Sequence, residues 1–192
     1  MAGDLSVRVM RPDEWAAVRA VCVEAFGGDE SLGELLDLLR ASWSWHDELS
    51  FVAVMDDRVV GDRVVGEYVV AMVLFSSAFV DAPDRVVPVL VLSPVGVWRD
   101  LQRRGIGDRL IRYALEQLAS RPEPVVFLEG IPSYYPRFGF RPARSMGFTP
   151  PSVRIPDRAF MALPLPSYDP SLRGALVYPD ALWRADAVGL RE

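Results

Sequence analysis

The chain has 192 residues, of which 51% are hydrophobic and 24% charged, enough apolar surface to offset the entropy of ordering one sizeable domain and to exclude intrinsic disorder. One cysteine, Cys22, and one histidine, His46, exclude intrachain disulfides, Cys/His zinc clusters, Ser-His-Asp triads and Cys-His dyads. The net charge of −5 argues against a broad basic surface for nucleic acid, and the 21 basic residues are all arginine, which leaves no lysine for Schiff-base chemistry.

Residues 5–10 (LSVRVM) alternate in polarity as a half-buried strand does. Pro12 suits a first helical turn, with Asp13 and Glu14 near its positive end. Trp15, Val18, Cys22, Ala25 and Phe26 then recur at helical spacing as far as a stop at Gly27 and Gly28. Ser31 and Glu34 have capping-box spacing, and Leu32, Leu35, Leu36 and Leu39 give a second helix an apolar face that ends near Ser42. From Phe51 the texture changes to β-branched runs (FVAVM, VVGEYVVAMVLFSSAFV, VVPVLVLSPVGVW) separated by turn residues, which predict successive antiparallel strands of one sheet.

Ile106, Leu110, Ile111, Ala114, Leu115 and Leu118 mark one face of a third helix. A short apolar strand (VVFLE) follows, then a turn or short helix over PSYYPRFGF, a Pro-rich surface loop over 141–157 able to overhang a site, and a last strand within RAFMALPL. The chain from Pro164 reads as an irregular extension, 164–192, packed on the domain formed by 1–163. The fold class is therefore α/β with a mixed sheet. No apolar run reaches the roughly 18 residues of a membrane span. No basic-then-apolar leader opens the chain, so the expected compartment is the cytoplasm.

The most informative stretch is VLSPVGVWRDLQRRGIGDRLIRYALEQL, a strand that feeds a glycine-containing turn opening a helix. The first amides of a helix lack intrahelical acceptors and sit at its positive end, so main-chain atoms alone can hold a diphosphate. Gly105 and Gly107 permit close approach, and Arg103 and Arg104 add charge at the rim. An ordinary left-handed turn bearing two solvated arginines would show the same local pattern. Pro94, within the preceding strand, has no ladder donor and points to an edge, a bulge or a parting of strands.

Gln102-Arg103-Arg104-Gly105-Ile106-Gly107 resembles the Q/R-x-x-G-x-G/A acyl-CoA motif of the GNAT N-acetyltransferase superfamily, and Tyr135-Pro136-Arg137-Phe138-Gly139-Phe140 resembles its Y-x-x-x-G-F segment, in the family's order. LSPVGV and PSYYPRFGFRPA together are most similar to the YhbS-like branch. The resemblance implies a mostly antiparallel sheet splayed between its fourth and fifth strands, with the pantetheine arm of acetyl-CoA in the opening. It places pantetheine contacts at Val95, Gly96 and Val97, the motif glutamine at Gln102, and diphosphate-binding amides at Arg103, Arg104, Gly105, Ile106, Gly107 and Asp108. Two residues depart from the pattern: Arg103 stands where the family often has glycine, and Asp108 brings an acid near phosphate, so it is expected to turn toward Arg112.

Acyl transfer to an amine needs a neutral nucleophile, a stabilised oxyanion and a proton for the departing thiolate. The resemblance puts the proton donor at Tyr135, with Tyr134 as the alternative, and the oxyanion donor at an amide near Val97. Candidate bases are Glu129, at the end of VVFLE, and Glu67; a surface carboxylate is the competing reading for both, and ordered water can replace either. His46 reads as structural, Trp43, Trp45 and Phe51 as core or pocket wall, and Cys22, on the first helix, as a poor covalent relay. The expected activity is direct transfer from acetyl-CoA to a primary amine on a small metabolite, an antibiotic-like compound or a peptide terminus. Neither metal, nucleic acid nor membrane is expected, and homodimers are common in the superfamily. The alternative is a non-catalytic module of the same fold that senses acyl-CoA or CoA; a plain interaction protein would bind neither.

Overall fold

The computed structural model describes residues 4–56, 59–60, 63–64 and 66–189. The alternating segment Leu5–Val9 (β1) is an edge strand, antiparallel to Ser50–Asp56 (β2). Between them, a 3-10 turn over Pro12–Glu14 leads into Trp15–Ala25 (α1), and Glu30–Arg40 (α2) follows after Gly27 and Gly28, both left-handed. The cap of α2 differs from the expected Ser31/Glu34 box. The Asp29 carboxylate accepts from the Ser31 main-chain N–H at 3.0 Å and from its hydroxyl at 2.7 Å, so an anion two residues earlier claims the free amide.

Glu67–Asp81 (β3) and Val86–Val97 (β4) complete an antiparallel meander with β2, as the β-branched runs predict. Part of the turn material between β2 and β3 lies outside the described residues. Ile106–Gln117 (α3) then crosses over to Val125–Glu129 (β5), which runs parallel to β4. Phe160–Pro164 (β6) pairs antiparallel with β5. One face of the sheet packs on α3 through Phe75, Leu90, Leu110, Ile111 and Val126. Val18, Cys22 and Leu36 from α1 and α2 cover part of the other, against Met72 and Leu74.

Two expectations fail downstream of β5. The 164–192 extension is not irregular: Gly174–Val177 (β7) pairs antiparallel with β3 beyond the end of β2, and Asp180–Arg184 (α4) follows. Its prolines fall outside β7, and Pro179 caps α4, so they punctuate elements rather than forbid them. Leu172, Leu176, Leu182 and Val188 share a core with Leu35, Leu39 and Val80, and this tertiary burial stabilises elements too short to persist alone. The 141–157 segment, read as a surface loop, instead sends Ala143, Phe148 and Ile155 into that core and forms a short parallel pairing of Phe148–Thr149 with β7. Among the described residues no helix is long and apolar enough to cross a membrane.

Candidate active site

β4 and β5 are paired only at Leu90↔Val126 and Val91↔Phe127. Beyond that point β4 is bulged: Val73 lies opposite Val95 but Phe75 opposite Leu92, so Leu74 alone faces both Ser93 and Pro94. The strands part there around a cavity of about 880 Å³, whose walls run along β4 from Val91 to Val97, a length of about 20 Å at strand rise.

The ladder decides which main-chain groups face this opening. Trp98 N–H donates to the Val70 carbonyl at 2.8 Å, so the adjacent Ala71↔Val97 pair, and Val73↔Val95 beyond it, are the open pairs of the antiparallel alternation. The N–H and C=O of Val95 and Val97 therefore point away from β3 toward the cavity. Gly96, expected among the cofactor contacts, belongs to the intervening pair and does not line the cavity. Its missing side chain serves packing instead, because a Cβ there would come within 3.3 Å of Ala25 Cβ and of the Cys22 backbone on α1.

At the far end of β4 the chain turns into α3. Gly105 caps the helix with φ 81°, and Arg103 holds φ 60°, the left-handed conformation that suits the glycine often found at its place. The first helical bond runs from Arg109 N–H to Gly105 O, which leaves the amides of Ile106, Gly107 and Asp108 without intrahelical acceptors. Gly107 keeps the corner open: a Cβ would sit 3.2 Å from Val97 Cγ2 and 3.4 Å from the Tyr134 hydroxyl. The Gln102 amide group donates to Val97 O at 3.1 Å and Ala25 O at 3.3 Å, tying the turn to β4 and α1. Asp108 turns aside to Arg112 at 2.9 Å, as expected. Arg103 lines the cavity and Arg104 does not, while the Ile106 side chain is largely buried beneath the helix.

Tyr134 and Tyr135 stand edge to face at 5.2 Å and separate two ends of the site. Tyr134 belongs to the α3 end: its hydroxyl abuts Gly107, the Arg137 guanidinium lies 4.6 Å over its ring, and burial with the nearby Asp108 charge raises its pKa. Tyr135 packs over Gly130, where any Cβ would overlap its ring, and against Phe140. Burial, with a smaller contribution from Tyr134, pushes its phenol up to about 12.

Glu129, the last residue of β5, also faces the cavity. Its Oε1 accepts from the Tyr178 hydroxyl at 3.0 Å and its Oε2 from the Gly189 N–H at 3.1 Å. Burial raises its pKa, opposed by these two bonds. Tyr178, Leu182 and Ala187 complete this wall and escape sequence reasoning, because nothing local ties the last quarter of the chain to β5.

The other candidates lie elsewhere. Glu67 is held by Arg8 and Arg11 at the sheet edge, so the surface-carboxylate reading applies to it. Phe51 is core, Trp45 packs edge-on against Trp15, and Trp43 stacks on Phe79 outside the cavity. Cys22 is buried with its thiol pushed up to about 12, which suits no relay. His46 Nε2 and Ser77 Oγ are hydrogen-bonded at 2.7 Å, and Glu48 is 3.4 Å from His46 Nδ1. One histidine is thus enough for a serine-histidine-carboxylate row, contrary to the exclusion drawn from composition, but the row lies outside the cavity. Among the described residues, no group of three or more His, Cys, Asp or Glu side chains is arranged to hold a metal ion.

A mixed sheet parted along the parallel junction of β4 with β5, with a glycine turn and helix N-terminus at one end of the gap, is the architecture that the resemblance to N-acetyltransferases implies. Residues 6–143 match the model of the acetyltransferase (GNAT) domain, and the chain belongs to the GNAT acetyltransferase family. It is similar to the uncharacterized N-acetyltransferase YjhQ of Escherichia coli (strain K12), 29% identical over 140 residues that span 73% of this chain and 71% of that protein. A GNAT family acetyltransferase from Brucella melitensis, crystallised with acetyl-CoA, superposes with a TM-score of 0.70 at 27% identity, over 94% of this chain and 99% of that one. YhbS from Escherichia coli, crystallised with CoA, shares the fold with a TM-score of 0.79 at 22% identity, over 96% and 94% of the two chains.

Proposed function

We propose that the chain transfers the acetyl group of acetyl-CoA directly to a primary amine within a ternary complex. One observation carries this reading: the outward-facing main-chain groups of Val95 and the outward N–H of Val97, the unpartnered amides at 106–108, a tyrosine and a carboxylate all face one cavity. The chain's residues fit the carrier, since Gly107 keeps open the corner that a diphosphate needs and the helix N-terminus supplies donors and positive potential. The acetyl-CoA complex of the Brucella relative supports the choice of ligand.

The thioester supplies an activated acetyl carbon. Glu129 takes a proton from the incoming ammonium, and its raised pKa brings it nearer the acidity range of a useful base. As the amine nitrogen bonds to the carbonyl carbon, an N–H on the open edge of β4 at Val97 stabilises the oxyanion. The C–S bond then breaks, Tyr135 gives its proton to the sulfur, and the second nitrogen proton, released as the amide forms, returns to the tyrosinate through solvent. Burial keeps that phenol protonated at neutral pH, and desolvation in the same cavity makes the thiolate more basic as well. Tyr134, at the α3 end, shapes the diphosphate corner.

The test pairs calorimetry against CoA with acetylation of a broad amine panel. Tyr135→Phe should lose at least about 100-fold in kcat, the scale of general acid catalysis, with CoA affinity kept within about twofold. CoA binding without turnover of any amine is the result given by a sensing module. No binding at all is the result given by an interaction protein.

A further inference from the structure

The two ends of the cavity differ in chemistry. The α3 end offers main-chain donors and arginine, whereas the end toward Val91 is walled by Leu32 and Leu35 from α2, by Val91 itself, and by Leu182 and Ala187 from the C-terminal segment. Into this apolar end faces one carboxylate, Glu129, which the tail orients with a hydroxyl and a main-chain amide. A polycation would leave its further charges against leucine without partners, and a peptide backbone would leave amides unpaired there. A single ammonium on a hydrocarbon body leaves nothing unsatisfied.

We infer that the acceptor is a primary amine carried on an apolar alkyl or arylalkyl body, with its nitrogen at Glu129 and its hydrocarbon against Leu32, Leu35, Leu182 and Ala187. This rests on the transferase reading above. The tail segment expected to be irregular is then what selects the substrate, because α4 and the turn after it supply part of the apolar wall.

The experiment measures kcat/KM with acetyl-CoA for butylamine, hexylamine, octylamine and phenethylamine beside spermidine, an aminoglycoside and a lysine-containing peptide. Each added methylene should raise kcat/KM about fourfold, as burying a methylene does, and the alkylamines should exceed the polycations. Ala187→Trp, which fills the apolar end from a half-exposed position, should reduce that dependence on chain length. A flat or falling series, or a preference for polycations with turnover intact, overturns the inference and leaves the transferase reading standing. A preference for longer acyl-CoAs with no dependence on amine length also overturns it, by giving the apolar end to the acyl chain. CoA binding with no turnover of any amine overturns the transferase reading, and the inference with it.

Discussion

Tyr178 donates its hydroxyl hydrogen to Glu129 Oε1 at 3.0 Å across 49 residues of sequence, joining the C-terminal segment to the end of the strand that borders the opening. That bond favours the carboxylate, and burial opposes it. Tyr178→Phe therefore raises the Glu129 pKa further, and the acidic limb of the kcat/KM profile should move to higher pH while CoA affinity stays constant. An unmoved limb would remove Glu129 from the proton path.

The same carboxylate links pH to stability. Its folded pKa is raised, so the folded state binds its proton more tightly than the unfolded state does. The stability conferred by the protonated form is complete below the unfolded pKa and is lost as pH rises through the folded value. Glu129→Gln cannot ionise, so its melting temperature should gain on that of the wild type as pH goes from 4 to 8, while acetylation falls at least about 100-fold. Parallel stability curves would contradict the burial argument.

Substitution of Gly107 tests the diphosphate corner. Alanine improves helix propensity by about 1 kcal/mol, against the crowding of Val97 and Tyr134, so urea unfolding should change by no more than about 1 kcal/mol. The motif accepts alanine at this position, so CoA affinity should change by less than about threefold, whereas Gly107→Trp, which fills the corner proposed for the diphosphate, should lower it at least about tenfold. Unchanged affinity in Gly107→Trp would place the diphosphate elsewhere.

Arg103 sits at φ 60°, a conformation that costs a side-chain-bearing residue about 1–2 kcal/mol. Glycine relieves that strain but loses about 0.5–1 kcal/mol to unfolded-chain entropy. Arg103→Gly should thus unfold at equal or slightly higher urea, and should weaken CoA binding more at low salt than at high salt, as loss of a rim charge does.

Much of this was legible in the chain. The period of two in LSVRV, the helical spacing through α3 and the missing donor of Pro94 each map onto an observed strand, helix or bulge. The i,i+4 spacing of Asp108 and Arg112 foretold their pairing. What escaped depends on register and distant partners. Gly96 and its neighbours look alike in sequence, and only the hydrogen bond of Trp98 to Val70 assigns them to opposite sides of the strand. Glu67 read as a possible base because Arg8, 59 residues away, could not be seen as its partner. β7 and α4 were hidden because four or five residues among prolines gain their order from Leu35, Leu39 and Val80, not from their own periodicity.

The most direct measurement is a crystal structure of the chain with CoA. The account predicts diphosphate oxygens about 2.7–3.2 Å from the main-chain nitrogens of Ile106, Gly107 or Asp108, with the pantetheine arm against Val95 and Val97. A carrier bound away from this turn, or held there by arginine side chains alone, would contradict it.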